Sequence, residues 1–147
     1  MAKESEIHDK ARQRARDMSL NYEGALAPAE AHALQKAGAT LVDVRSLAEL
    51  DFVGRIPGSV EIEWKSYPGM KPNPDFVQQL IQKVPQSAKV MFICRSGGRS
   101  HDAALAALQA GYQAYNVLEG FEGDRDAGGH RNTVGGWRAA GLPWTQS

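Results

Sequence analysis

Lys89-Val90-Met91-Phe92-Ile93-Cys94-Arg95-Ser96-Gly97-Gly98-Arg99-Ser100 is the stretch that decides how this chain is read. Val90 to Ile93 is continuously apolar, the pattern of a central parallel strand covered on both faces. The strand delivers the only cysteine of the 147 residues. Two glycines and two arginines follow. Then Ala103, Ala104, Leu105, Ala107 and Leu108 mark an Ala-rich helix that stops at Gly111. A thiol between a strand end and a helix start faces the positive end of the helix dipole. Successive N–H groups of a glycine-rich loop form an anion-binding nest, and Arg95 and Arg99 add full charges. Gly97 and Gly98 allow backbone angles that a side chain forbids. The loop therefore reads as a cradle for an anion attached to, or approaching, Cys94. A lone cysteine ending a buried strand is by default a small apolar side chain. The flanking residues 95–100 are what argue for chemistry.

The neighbouring segments supply the rest of an α/β domain. Upstream, Pro28 suits the first position of a helix whose inner face is Ala31, Leu34 and Ala37, with Gly38 as its stop. Thr40 to Arg45 reads as a short buried strand with Asp43 and Arg45 at its end. Ser46 is the N-cap of a helix over 47–52, with Glu49 in the capping-box position. Residues 54–58 form a turn into a strand over 59–62. Residues 64–72 read as a loop with Pro68, Gly69 and Pro72 as breakers. Asn73-Pro74-Asp75 reads as a cap, an N1 proline and an acid, starting a helix that buries Phe76, Leu80, Ile81 and Val84. Downstream, 114–118 is a further strand, 119–136 a long ordered loop, and 137–140 a last helical turn. Strands alternating with helices predict an open α/β fold with a mostly parallel sheet. In such folds ligands bind beyond the carboxyl ends of the strands, where both Cys94 and Asp43 fall.

Residues 3–18 carry charges of both signs and an apolar stripe at Ile7, Ala11, Ala15 and Met18. They read as a charged helical extension over 1–20, lying on a domain over 21–147, with a dimer or partner contact as the alternative use of the stripe. Seventeen basic and seventeen acidic residues give zero formal net charge, so there is no bulk electrostatic case for nucleic acid or membrane binding. One cysteine allows no disulfide within the chain and fits a reducing compartment; the expected location is the cytoplasm. It also leaves no internal resolving thiol, so a modified Cys94 is discharged by an external partner.

In order, Leu41-Val42-Asp43-Val44-Arg45, then residues 54–60, then Ile93-Cys94 with 95–100, then Gly141-Leu142-Pro143 resemble the landmarks of a single rhodanese domain, over roughly residues 24–145. The resemblance implies a central five-stranded parallel sheet flanked by helices on both faces. It also implies transfer of sulfane sulfur through a persulfide on Cys94, with no cofactor besides that covalent intermediate. The active loop would be Arg95, Ser96, Gly97, Gly98, Arg99 and Ser100, supported by Asp43, Arg45 and Arg55. Arg55 stands where the family commonly has histidine, and is expected either to add a cation near the site entrance or simply to be exposed. Arg45 is expected to pair with Glu49, and Arg99 to brace the loop through a carboxylate. The implied partners are a small anionic donor such as thiosulfate, a thiol or cyanide acceptor, and possible protein sulfur acceptors. A persulfide carrier without turnover, or a partner-binding module, is the competing reading. Phosphatase or arsenate reductase chemistry is disfavoured: Arg99 comes one residue sooner than in the Cys-x5-Arg phosphatase loop, and Ile93 stands where those enzymes have histidine. Residues 119–136, with Arg125, His130 and Arg131, are placed where they could overhang the site.

Overall fold

A computed structural model describes residues 2–67 and 69–146; the expected breaker Pro68 lies outside the described residues. Its frame is a parallel sheet of β1 (Gly24–Leu26), β2 (Thr40–Asp43), β3 (Val60–Glu61), β6 (Lys89–Ile93) and β7 (Gln113–Val117), in the order β1-β7-β6-β2-β3. β6, the most apolar strand, lies in the middle, with Val42 beside Phe92 on one flank and Tyr115 beside Met91 on the other. The helices are α1 (Ala2–Asp17), α2 (Pro28–Lys36), α3 (Leu47–Phe52), α4 (Phe76–Lys83) and α5 (Gly98–Gln109).

Alternate residues of each strand feed two cores, as the two-residue repeat of a sheet requires. Val42, Val90, Phe92 and Ala114 pack with Phe76 and Leu80 of α4 and Ala103, Ala104 and Ala107 of α5. Leu41, Met91, Ile93, Tyr115 and Val117 pack with Ile7 and Ala11 of α1, Ala31 and Leu34 of α2, and Trp137. Helices thus cover both faces. α1 approaches the sheet so closely that a Cβ on Gly24 would lie 2.8 Å from Ala11 Cβ. The expected stripe holds for Ile7, Ala11 and Ala15; Met18 falls past the helix end and is half exposed.

Three local expectations change. α4 starts at Phe76, later than Asn73-Pro74 suggested, because Asn73 Oδ1 accepts from the Asp75 N–H and closes a side-chain turn first. Along α4 and its C-cap the buried stripe is Phe76, Leu80 and Val84, while Ile81 is 51% exposed. The loop at 64–72 contains a short antiparallel pair, β4 (Lys65–Ser66) with β5 (Lys71–Pro72). At the C-terminus, Arg55 and Thr145 exchange backbone hydrogen bonds of 2.7 and 2.8 Å, which ties the chain end to the Gly54 turn. No helix among the described residues is long and apolar enough to cross a membrane.

Candidate active site

Cys94 follows β6 directly, and α5 begins four residues later, at Gly98. The turn between them requires Gly97, which sits at φ +112° as the N-cap. Its N–H donates to Cys94 Sγ at 3.1 Å, and Ser100 Oγ lies 3.3 Å from the same sulfur. Ser100 Oγ in turn donates to Asn116 Oδ1 at 2.6 Å, and Asn116 Nδ2 donates to the Gly97 carbonyl at 3.3 Å. Asn116 interrupts an otherwise apolar buried segment of β7. That polar residue in a buried strand was the available sign of its role, and it was not among the expected site residues. Cys94 itself is 1% exposed.

Arg99, in the first turn of α5, donates from Nη1 and Nη2 to the two oxygens of Glu49 at 2.6 and 2.8 Å. The expected bracing carboxylate is therefore Glu49 on α3. Burial opposes the charged form of Glu49, but the Arg99 hydrogen bonds and charge, joined by hydrogen bonds from Ser46, outweigh it and hold the carboxyl at about 2. For Arg99, burial pulls its proton affinity down, and Glu49, followed by Cys94 and Asp43, more than restores it. The capping box is also present: Glu49 N–H donates to Ser46 Oγ, and Ser46 N–H to Glu49 Oε1.

Arg45 does not pair with Glu49. It forms a fully buried ion pair with Asp43, at 2.9 Å from Nε and 2.7 Å from Nη2, and Nη2 also reaches the Gly54 carbonyl at 2.8 Å. Its guanidinium lies 4.1 Å from the centre of the Phe121 ring, while Nη1 has no hydrogen-bond partner among the described residues. Such a pair holds β2 to the loops around it. Arg55 lies outside the cavity over the Cys94 loop, ion-paired with Asp51 at 2.9 Å and Glu61 at 3.0 Å.

The segment after β7 supports the cysteine loop from behind. Phe121 N–H donates to the Cys94 carbonyl at 2.8 Å, and Glu122 and Gly123 N–H to the Arg95 carbonyl at 3.0 and 3.2 Å. Gly120 makes this approach possible: a Cβ there would lie 2.5 Å from the Cys94 carbonyl oxygen. Beyond it, Asp126 organises an outer turn by accepting from the Gly128 and His130 N–H groups and the Thr133 hydroxyl. Of the long segment, Glu122 is the residue that lines the cavity; Arg125 and His130 are exposed elsewhere.

That cavity, about 490 Å³, is bounded by Ser46, Glu49 and Phe52 after β2, Arg95 and Arg99 after β6, and Glu122 after β7. It lies at the carboxyl ends of three adjacent strands, where α/β folds bind ligands. A slightly larger cavity of about 520 Å³ runs between α1 and the start of β7 and shares no residue with the cysteine loop. Of the two, the former is the one that adjoins the cysteine loop, through Arg95 and Arg99.

A family model described as Rhodanese-like domain matches residues 27–127, so the chain belongs to the rhodanese-like domain family. A crystal structure of a protein from M. tuberculosis superposes with a TM-score of 0.80 at 42% identity, covering 86% of this chain and 100% of that one. An uncharacterized protein of Rickettsia conorii is 36% identical over 109 residues, 72% of this chain and 82% of the relative. The Arabidopsis thaliana protein named Thiosulfate sulfurtransferase 16, chloroplastic, is 32% identical over 118 residues, 77% of this chain and 85% of its own length.

Proposed function

We propose that this protein is a sulfurtransferase in which Cys94 carries a sulfane sulfur from an anionic donor such as thiosulfate to a thiol or cyanide acceptor. The observation that carries this reading is the Gly97 N–H aimed at Cys94 Sγ from the amino end of α5, in a loop held by Arg99 on Glu49. Family membership and the name of the plant relative support it. In the first step the Cys94 thiolate attacks the outer sulfur of thiosulfate. The sulfur–sulfur bond breaks and sulfite leaves with its electron pair. The outer sulfur, now on Cys94, extends the side chain by about 2 Å and carries the negative charge that the loop amides receive. In the second step the acceptor attacks that outer sulfur, and the thiolate returns. Four residues between Cys94 and Arg99 make a ring suited to one sulfur atom. Asp43 and Arg45 hold the surrounding loops and touch no reacting atom. The setting is a reducing compartment with a small-molecule or protein thiol as acceptor.

The test is persulfide loading followed by mass spectrometry. After thiosulfate treatment the protein gains the mass of one sulfur, dithiothreitol removes it, and thiocyanate forms when cyanide is added. Cys94→Ser abolishes both signals. Undiminished thiocyanate formation in that variant overturns the proposal.

A further inference from the structure

The mouth over the Cys94 loop has a charge balance and an apolar rim that transfer from thiosulfate does not use. Four charged side chains line it. Arg99 is committed to Glu49 through both terminal nitrogens, so that pair offers an incoming ligand no net charge. Arg95 makes no side-chain hydrogen bond or ion pair among the described residues, and neither does Glu122, which stands in the same mouth with the opposite charge. The formal charges of the lining cancel. An inorganic dianion entering here gains one cation and meets an uncompensated carboxylate, a poor match by ordinary Coulomb reasoning.

Apart from the buried Ser46, the rest of the rim is largely apolar. Phe52, at the end of α3, is 80% exposed; Tyr67 and Met70, on the turn between β4 and β5, are 66% and 39% exposed. Val53 and Ala48 complete that side. A phenyl ring, a phenol and a thioether gathered at one entrance suit a ligand with an apolar body.

We propose that this mouth selects an organic sulfur donor with an apolar body and a single negative charge over thiosulfate. The body lies on Phe52, Tyr67 and Met70, and the charge sits at Arg95. The proposal rests on the persulfide reading of Cys94 and names the donor class for it. With an organic persulfide, the Cys94 thiolate attacks the outer sulfur, the sulfur–sulfur bond breaks, and the organic thiolate leaves with the electron pair. The outer sulfur and its negative charge stay on Cys94. With an organic thiosulfonate the same attack releases a sulfinate, and the negative charge of the outer sulfur stays on the new persulfide.

Three probes separate ring, charge and chemistry: benzenethiosulfonate, methanethiosulfonate and thiosulfate. The two thiosulfonates react identically and differ in the ring. The readout is the second-order rate constant of sulfur loading onto Cys94, followed by mass and by released sulfinate or sulfite. The wild type is expected to load from benzenethiosulfonate at least about tenfold faster than from methanethiosulfonate. Phe52→Ala and Tyr67→Ala each lower that ratio several-fold; both side chains are exposed, and thermal unfolding checks that the variants fold. Glu122→Gln raises the thiosulfate rate several-fold and leaves the ratio alone. Equal rates with the two thiosulfonates, or a ratio that survives both rim substitutions, overturn the donor proposal while leaving the persulfide reading standing. Loading from none of the three overturns the persulfide reading itself.

Discussion

Glu49 gives the most quantitative consequence of the site's construction. Its carboxylate joins α3 to the first turn of α5 through Arg99, with the two side chains 20% and 14% exposed. Holding it at about 2, against an ordinary 4.5, corresponds to about 3 kcal/mol of preference for its charged form in the folded state. Glu49→Gln keeps the shape and the acceptor for the Ser46 N–H but removes the charge, so it is expected to cost about 3 kcal/mol at about pH 7. A domain stable by about 5 to 15 kcal/mol still folds after that loss. Because the folded-state pKa is depressed, this stability is fully present above the unfolded value of 4.5 and is lost as pH falls toward about 2. By about pH 3 the wild type should have given up about 2 kcal/mol of it. Glutamine does not titrate. The stability gap between wild type and variant therefore narrows from about 3 to about 1 kcal/mol over that range, and taking the difference cancels the other carboxylates. Urea unfolding of both proteins at a series of pH values measures it. A gap that stays constant with pH would show that the Arg99 pairing is not what stabilises the loop.

Asp43→Asn leaves the Arg45 guanidinium buried without a counter-charge, for an expected loss of about 3 to 5 kcal/mol in urea unfolding, part of it recovered by adding Arg45→Met; a loss under about 1 kcal/mol contradicts this. Gly120→Ala forces a Cβ against the Cys94 carbonyl at a φ of +66°, so a loss of about 2 kcal/mol and slower sulfur loading are expected together, and an alanine variant normal in both would be inconsistent with the packing. His8 is buried against the Tyr115 hydroxyl and Lys89 Nζ; burial first, then Lys89 and Arg12, lower its pKa against the opposing pull of Glu4 and Glu23. A lowered folded-state value means that stability falls as pH drops below the unfolded value of 6.5, so between about pH 8 and about pH 5.5 wild-type melting should drop more than that of His8→Gln. Parallel melting curves would remove His8 as the cause.

What the sequence revealed and what it hid divides along the range of the interactions. Strand and helix periods are local, so β6, the Ala-rich α5 and the three buried apolar positions of α1 could be read directly. So could the Ser46–Glu49 cap, which spans three residues. Arg45 and Glu49 are four apart, but that spacing brings side chains together only inside a helix, and Ser46 is only the cap. Asp43 ends β2, and its Oδ1 accepts from the Arg45 N–H across a bend, so a local side-chain turn brings the actual partner to Arg45. The link from Glu49 to Arg99 crosses fifty residues and depends on β2 lying beside β6, which no local pattern encodes. Ile81 fits the helical repeat yet stays exposed because α4 buries only a narrow stripe. The rim of Phe52, Tyr67 and Met70 was invisible for the same reason as Glu49: a helix end and a hairpin turn meet only once the sheet has formed.

Ser100 carries one hydroxyl hydrogen and has two neighbours that can receive it, Cys94 Sγ at 3.3 Å and Asn116 Oδ1 at 2.6 Å. With a protonated thiol the direction is settled: S–H points to the hydroxyl oxygen and the hydroxyl points to the amide. Once the sulfur is a thiolate, the cysteine has no hydrogen to give, and a contact with Ser100 persists only if the hydroxyl turns around and abandons Asn116. A loss or gain of the sulfur's proton that keeps this contact therefore reverses the polarity of a short buried chain. The side-chain oxygen of Asn116, inside β7, is where that reversal is felt.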